Sequence, residues 1–198
     1  LPCVASPARQ VGWMVDHFSA AGRRRRSAAL SPGGAPRRPD RASIVYADRV
    51  HALFPGVAVV LGGLEASLRR FAHYDYWSDR VKRSILADAP AQLLVYGMGE
   101  RQGVEIARRR SGGESVRGLT DIRGTVWKVP PREFREKDPG DMVTLPSFAE
   151  VSRDPAAYAR AFALHAGEQD PVRGRRVAQE QGKTVVVQNP PALPLSTE

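Results

Sequence analysis

The sequence predicts an α/β fold built on a partial, doubly wound parallel sheet, and three observations predict it. Two short apolar runs, "VAVVL" (Val57–Leu61) and "QLLVY" (Gln92–Tyr96), read as strands buried on both faces. Each run stops at glycines, Gly62-Gly63 in one case and Gly97 with Gly99 in the other, as tight strand-to-helix turns do. Segments of helical spacing stand before, between and after the runs, and the order helix, strand, helix, strand, helix is that of a parallel sheet wrapped by helices.

Taken in order, "LPCVAS" reads as the tail of a strand. "VGWMVDHFSAAG" places Val11, Met14, Val15 and Phe18 at helical spacing and ends at Gly22. "SPGGAPRRPD" is a loop by its proline and glycine content. Asp40 is the expected cap of a helix with Ile44, Ala47, Val50 and Phe54 on one face, stopped by Pro55-Gly56. After Gly63 a helix runs through Leu64 and Leu68 and loosens at "AHYDYW". Ser78 is the expected cap of the next helix, "DRVKRSILADA", with Val81, Ile85 and Leu86 inward. A further helix spans Glu100 to Arg110 and closes at Gly112. Residues 1–129 form the expected α/β domain. Residues 130–198 form the expected connector: a linker "PPREFREKDPGD", a helix capped by Asp154 with Pro155 in its first position, a hairpin turning at Gln181-Gly182, and an extended tail.

Composition narrows the function classes. Gly 18 and Pro 16 make up about a sixth of the 198 residues, below the roughly 25–30% of a low-complexity chain. No apolar run approaches the ~18 residues that cross a bilayer, and nothing reads as a signal peptide, so a cytoplasmic protein is expected. Cys3 is the single cysteine, which excludes an internal disulfide and any all-cysteine metal site within this chain. Of the net charge of +9, +6 falls between Arg23 and Arg41, where seven arginines face Asp40 alone. That window is either a solvated run, its arginine swollen by codon bias, or a phosphate-gripping patch. The second option leaves a basic nucleic-acid-binding module as the alternative function, one whose affinity would fall steeply with salt.

In open α/β sheets ligands gather beyond the carboxyl ends of the strands, where both glycine corners lie. Gly62, Gly63, Gly97 and Gly99 are therefore candidate ligand-edge residues, with a plain structural turn weighing equally. Neither corner completes a phosphate-binding fingerprint, which removes a free-standing nucleotide-binding protein. Between the corners, Glu65, Arg69, Arg70, His73, Asp75 and Trp77 crowd into a polar and aromatic segment. His73 and Asp75 read as an acid–base or orienting pair, or as part of a sealed interface.

"GGLEASLRRFAHYDYWSDRVKRSIL", "LLVYGMGE", "IRGTVWK", "LPSF" and "VVQNPPALPLSTE", in that order, resemble the YgiQ-type family of radical S-adenosylmethionine proteins over about Met14 to Glu198. The resemblance implies an N-terminal domain of the cobalamin-binding or flavodoxin-like kind, then a connector, then a catalytic barrel. A C-x-x-x-C-x-x-C motif in that barrel holds a [4Fe–4S] cluster, which binds S-adenosylmethionine and cleaves it to a 5′-deoxyadenosyl radical. This sequence shows no such motif. The chain is accordingly expected to be a fragment, inactive and metal-free by itself, whose partner is its own barrel and whose substrate the resemblance does not name. Glu65, Arg69, Arg70, His73, Asp75 and Trp77 are then the expected barrel-facing or substrate-contacting residues. Cobalamin is not supported, because His17 lacks the spacing of a cobalt ligand.

Overall fold

A computed structural model describes residues 3–5, 41–76, 78–136 and 141–195. The expected helix at 11–22, the loop at 31–40, the basic window short of Arg41, Asp40 and Trp77 lie outside the described residues. The strands are β1 (Cys3–Ala5), β2 (Val59–Leu61), β3 (His73–Asp75), β4 (Arg80–Lys82), β5 (Leu93–Val95), β6 (Thr125–Val129), β7 (Met142–Thr144), β8 (Arg176–Glu180) and β9 (Val185–Gln188). The α-helices are α1 (Ala42–Leu53), α2 (Gly63–Leu68), α3 (Ile85–Asp88), α4 (Glu100–Ser111), α5 (Pro131–Glu136), α6 (Phe148–Val151) and α7 (Pro155–Gly167).

Seven strands form one sheet in the order β1-β2-β5-β6-β9-β8-β7, and β3 with β4 makes a separate antiparallel hairpin. The expected parallel unit is present: β1 pairs with β2 and β2 with β5, both parallel. The sheet as a whole is mixed, because β5–β6, β6–β9 and β8–β9 are antiparallel and β7–β8 is parallel again. A buried apolar run such as "TVWKV" reports burial and carries no signal of strand direction. The hairpin at Gln181-Gly182 forms as expected, but β8 and β9 extend the main sheet and do not stand apart from it.

Alternation along the strands fills two cores. Val59, Leu61, Leu94, Val126, Val177 and Val186 pack with Ala47, Ala66, Leu86, Val151 and Ala161 on one face. Val60, Leu93, Val95, Trp127 and Val187 pack with Ile106 and Leu119 on the other. Helices therefore cover both faces, as a doubly wound sheet requires.

Three local expectations are corrected. Ser78 caps no helix; its hydroxyl donates to Asp75 Oδ2 at 2.6 Å, and residues 80–82 are strand β4. The cap is Ser84, whose Oγ accepts from Leu86 N and which opens the short α3. The linker after Val129 contains a helix, α5. Arg41 caps α1 with no side-chain hydrogen bond. Elsewhere the expected punctuation holds: Asp154 accepts from Ala156 N with Pro155 in the first turn, and Gly112 closes α4.

The segment between the glycine corners is held by the distant end of the chain. Gln179 Oε1 accepts from Ala72 N at 2.9 Å, Gln181 Oε1 from Ser84 N at 3.0 Å, and Tyr158 Oη from Tyr74 N at 3.0 Å. Residues 72–84 are thus tied to β8, to Gln181 just beyond it and to α7.

Candidate functional site at the carboxyl edge of the sheet

The parallel strands β2 and β5 end at the two glycine corners; β6, antiparallel to β5, brings Gly124 to the same edge, and β9, antiparallel to β6, brings Gln188-Asn189 there. Gly63 (φ 84°) and Gly97 (φ 70°) adopt left-handed backbone that other residues resist, so these turns require glycine. The corners are joined: Ser67 Oγ donates to Gly63 O at 2.8 Å and accepts from Gly97 N at 3.3 Å. Gly62 is extended and precedes α2, while Gly99 precedes α4, where a Cβ would fall 2.8 Å from Val95 Cγ1.

Arg70 lies at this edge. Its Nε donates to Gln188 Oε1 at 2.7 Å, its Nη2 to Gln169 Oε1 at 2.8 Å and its Nη1 to Ser67 O, with the guanidinium 4.8 Å from the centre of the Tyr96 ring. Burial lowers the Arg70 pKa from its ordinary value. Tyr96 donates to Asn189 O at 2.7 Å, and burial raises its phenol pKa against the pull of Arg70 and Arg123. His165 Nε2 meets the same Gln188 oxygen at 3.0 Å, which places its proton on that nitrogen. Its ring stands edge-on to Phe71. Burial first, and Arg70 second, push the His165 pKa down to about 4, so the ring is neutral at physiological pH. Beside Tyr96, an open groove of about 420 Å³ runs past Gly97, Met98, Gln102, Arg123 and Leu193.

The other polar candidates form a second cluster, between α1 and the β3–β4 hairpin. Glu65, 4% exposed, accepts from Ser43 Oγ at 2.7 Å and from Arg69 Nη1 at 2.9 Å. Asp75 faces Ser78, Lys82 (3.7 Å) and Arg41 (4.0 Å). Burial alone would raise the Asp75 pKa, but the Ser78 hydroxyl and the charges of Lys82, Arg69 and Arg41 hold it below the ordinary value. His73 Nδ1 lies 3.1 Å from Phe71 O, and burial lowers its pKa. About 10 Å³ of free space remains in this cluster, the room of a single water.

Of the sequence candidates, the structure therefore groups Glu65, Arg69, His73 and Asp75 in one place and sets Arg70 in another, with the glycine corners. Sequence reasoning missed Tyr96, His165, Gln169 and Gln188. For Gln188 a signal exists: a glutamine ends the otherwise apolar, fully buried strand "VVVQ".

A family model described as "Radical SAM N-terminal" matches residues 4–198. The chain belongs to this family. The radical SAM N-terminal chain is 47% identical to a UPF0313 protein of Methanosarcina acetivorans, over 92% of its own length and 28% of the relative's. Similar relatives are UPF0313 proteins of Methanocella arvoryzae (46%; 98% of this chain, 32% of the relative) and Thermotoga neapolitana (45%; 96% and 33%). The chain thus spans about a third of the length of these curated relatives. No solved structure matches it.

Membership implies S-adenosylmethionine and a [4Fe–4S] cluster in the full-length proteins. The residues of this chain do not fit the cluster. Cys3 is its one thiol, whereas such clusters are held by several thiolates, and among the described residues no three His, Cys, Asp or Glu side chains stand together as metal ligands. No described helix is long and apolar enough to cross a membrane.

Proposed function

We propose that this radical SAM N-terminal chain is the non-catalytic lead domain of a radical S-adenosylmethionine enzyme, and that the carboxyl edge of its sheet faces the catalytic barrel. The observation that carries the reading is a family match over nearly the whole chain in a sequence with one cysteine. The edge has the character of a docking face. Leu64 and Leu68, one turn apart on α2, are exposed, as are Met98 at the second corner and Leu193 and Leu195 on the extended segment beside it. Arg70 and the glycine corners lie behind that apolar strip, where they meet barrel or substrate. Glu65, Arg69, His73 and Asp75 brace the hairpin that flanks it.

The test is anaerobic reconstitution with iron and sulfide of this chain and of a longer polypeptide that continues downstream through a C-x-x-x-C-x-x-C motif. The chain alone should hold no stoichiometric cluster and release no 5′-deoxyadenosine when S-adenosylmethionine and a reductant are added. The longer polypeptide should do both. Cluster binding at one per chain by the short form would overturn the reading.

A further inference from the structure

Arg70 is a largely buried cation with no acid beside it among the described residues. Among the described residues no carboxylate pairs with it, and its three hydrogen-bond acceptors are two side-chain amides and a backbone carbonyl, all neutral. A guanidinium has five N–H donors, so two remain unassigned. The neighbours add donors. Gln188 is fully buried, and its Nε2 has no partner among the described residues, although its Oε1 takes both Arg70 Nε and His165 Nε2. His165, being neutral, brings no compensating charge, and its one N–H is spent on that same Gln188 oxygen. Glu168, three residues further on, is committed to Arg175 at 2.6 Å. The result is a knot of surplus donors with a net positive charge, at the edge where ligands gather in such sheets. Buried charges are ordinarily paired, and the partner missing here is an acceptor of negative charge.

We infer that Arg70, supported by Gln188, is an oxyanion site that takes a carboxylate or a phosphate group from outside the described fold. The guanidinium favours this chemistry because its planar fork meets two oxygens of one anion at once. Tyr96 on one face and the amides of Gln169 and Gln188 on the rim hold the fork in a fixed orientation before the anion arrives, which lowers the ordering cost of binding. The site does not depend on an iron–sulfur cluster or on the barrel reading.

The anion comes either from a small ligand or from a carboxylate side chain elsewhere in the longer polypeptide. Nitrogen-15 NMR of the Arg70 Nε–H at neutral pH separates the two. In this chain, inorganic phosphate should move that resonance saturably, with chloride at matched ionic strength leaving it in place, and Arg70→Gln should weaken phosphate binding at least about tenfold. Gln188→Leu, which keeps the guanidinium, should weaken it less. If the longer polypeptide also responds to phosphate, the occupant is a free ligand. If its Arg70 resonance already stands at the bound position and ignores phosphate, the occupant is a side-chain carboxylate. Either result supports the site. An Arg70 resonance that is unmoved by phosphate in this chain and identical in the longer polypeptide overturns it, and so does an equal response to chloride. None of these readings requires a cluster, so they fail or succeed independently of the reconstitution.

Discussion

Arg69 and Arg70 are neighbours in sequence and opposites in setting. Arg69 turns toward α1, where Glu65 takes its Nη1 at 2.9 Å within a cluster that leaves about 10 Å³ of space. Arg70 turns to the carboxyl edge of the sheet, where its acceptors are neutral and an open groove lies beside Tyr96. The first arginine has its counter-charge inside the fold and is closed. The second has none among the described residues, and it lies at the edge where ligands gather in such sheets. The pair shows that an "RR" in a sequence is two residues to be read separately, since residues one apart on a helix end face different sides.

Breaking the closed side should give the largest effect. Arg69→Met strands the Glu65 carboxylate, whose side chain is 3% exposed, and losing one partner of a buried pair costs about 3–5 kcal/mol. Urea unfolding should show that loss. The double variant Glu65→Leu, Arg69→Met should recover most of it, because no charge is then left unpaired. An Arg69→Met protein as stable as the parent would erase the distinction between the two arginines.

Acid should weaken the open side first. The His165 pKa is about 4 in the fold against 6.5 unfolded, so between these values the unfolded chain binds the extra proton. Stability is full above pH 6.5 and falls as the pH drops toward 4, by up to about 3 kcal/mol. His73, also lowered by burial, contributes in the same direction, and His165→Asn separates the two by removing only the part due to His165. Asp75 behaves differently: its depressed pKa keeps its contribution intact above the unfolded value of 3.8 and loses it only at more acid pH. Thermal melts of parent and His165→Asn between pH 4 and 7 check the assignment. Parallel curves for the two proteins would mean that His165 is not buried neutral.

The parallel unit was legible because β-branched runs and glycine corners are local signals, as were the Asp154-Pro155 cap and the turn at Gln181-Gly182. The β3–β4 hairpin was not legible. "DRVKRSIL" has an apolar spacing that suits a helix, yet Arg80–Lys82 pairs with His73–Asp75 in a hairpin whose flanks, Ala72 N and Ser84 N, donate to Gln179 and Gln181 roughly a hundred residues away. The same limit hid the site. Arg70 could be named from its place after a strand, but its partners Gln188 and His165 lie 118 and 95 positions further along the chain, and no spacing rule links residues so far apart.

The smallest effect sharpens the comparison most. Arg70→Gln removes a buried charge without stranding an acid, since its lost partners are amides and one carbonyl. Each hydrogen bond from a charged donor contributes about 1.5–3 kcal/mol, yet here the cost of burying an unpaired guanidinium offsets them. His165 Nε2 still donates to Gln188 Oε1, so that oxygen is not left bare. The net change in unfolding free energy should therefore stay within about 1 kcal/mol, well below that of Arg69→Met. Urea unfolding in chloride buffer measures it directly. A loss as large as that of Arg69→Met would mean that Arg70 is a structural strut whose charge the fold already answers. A near-neutral result leaves its charge available to an anion.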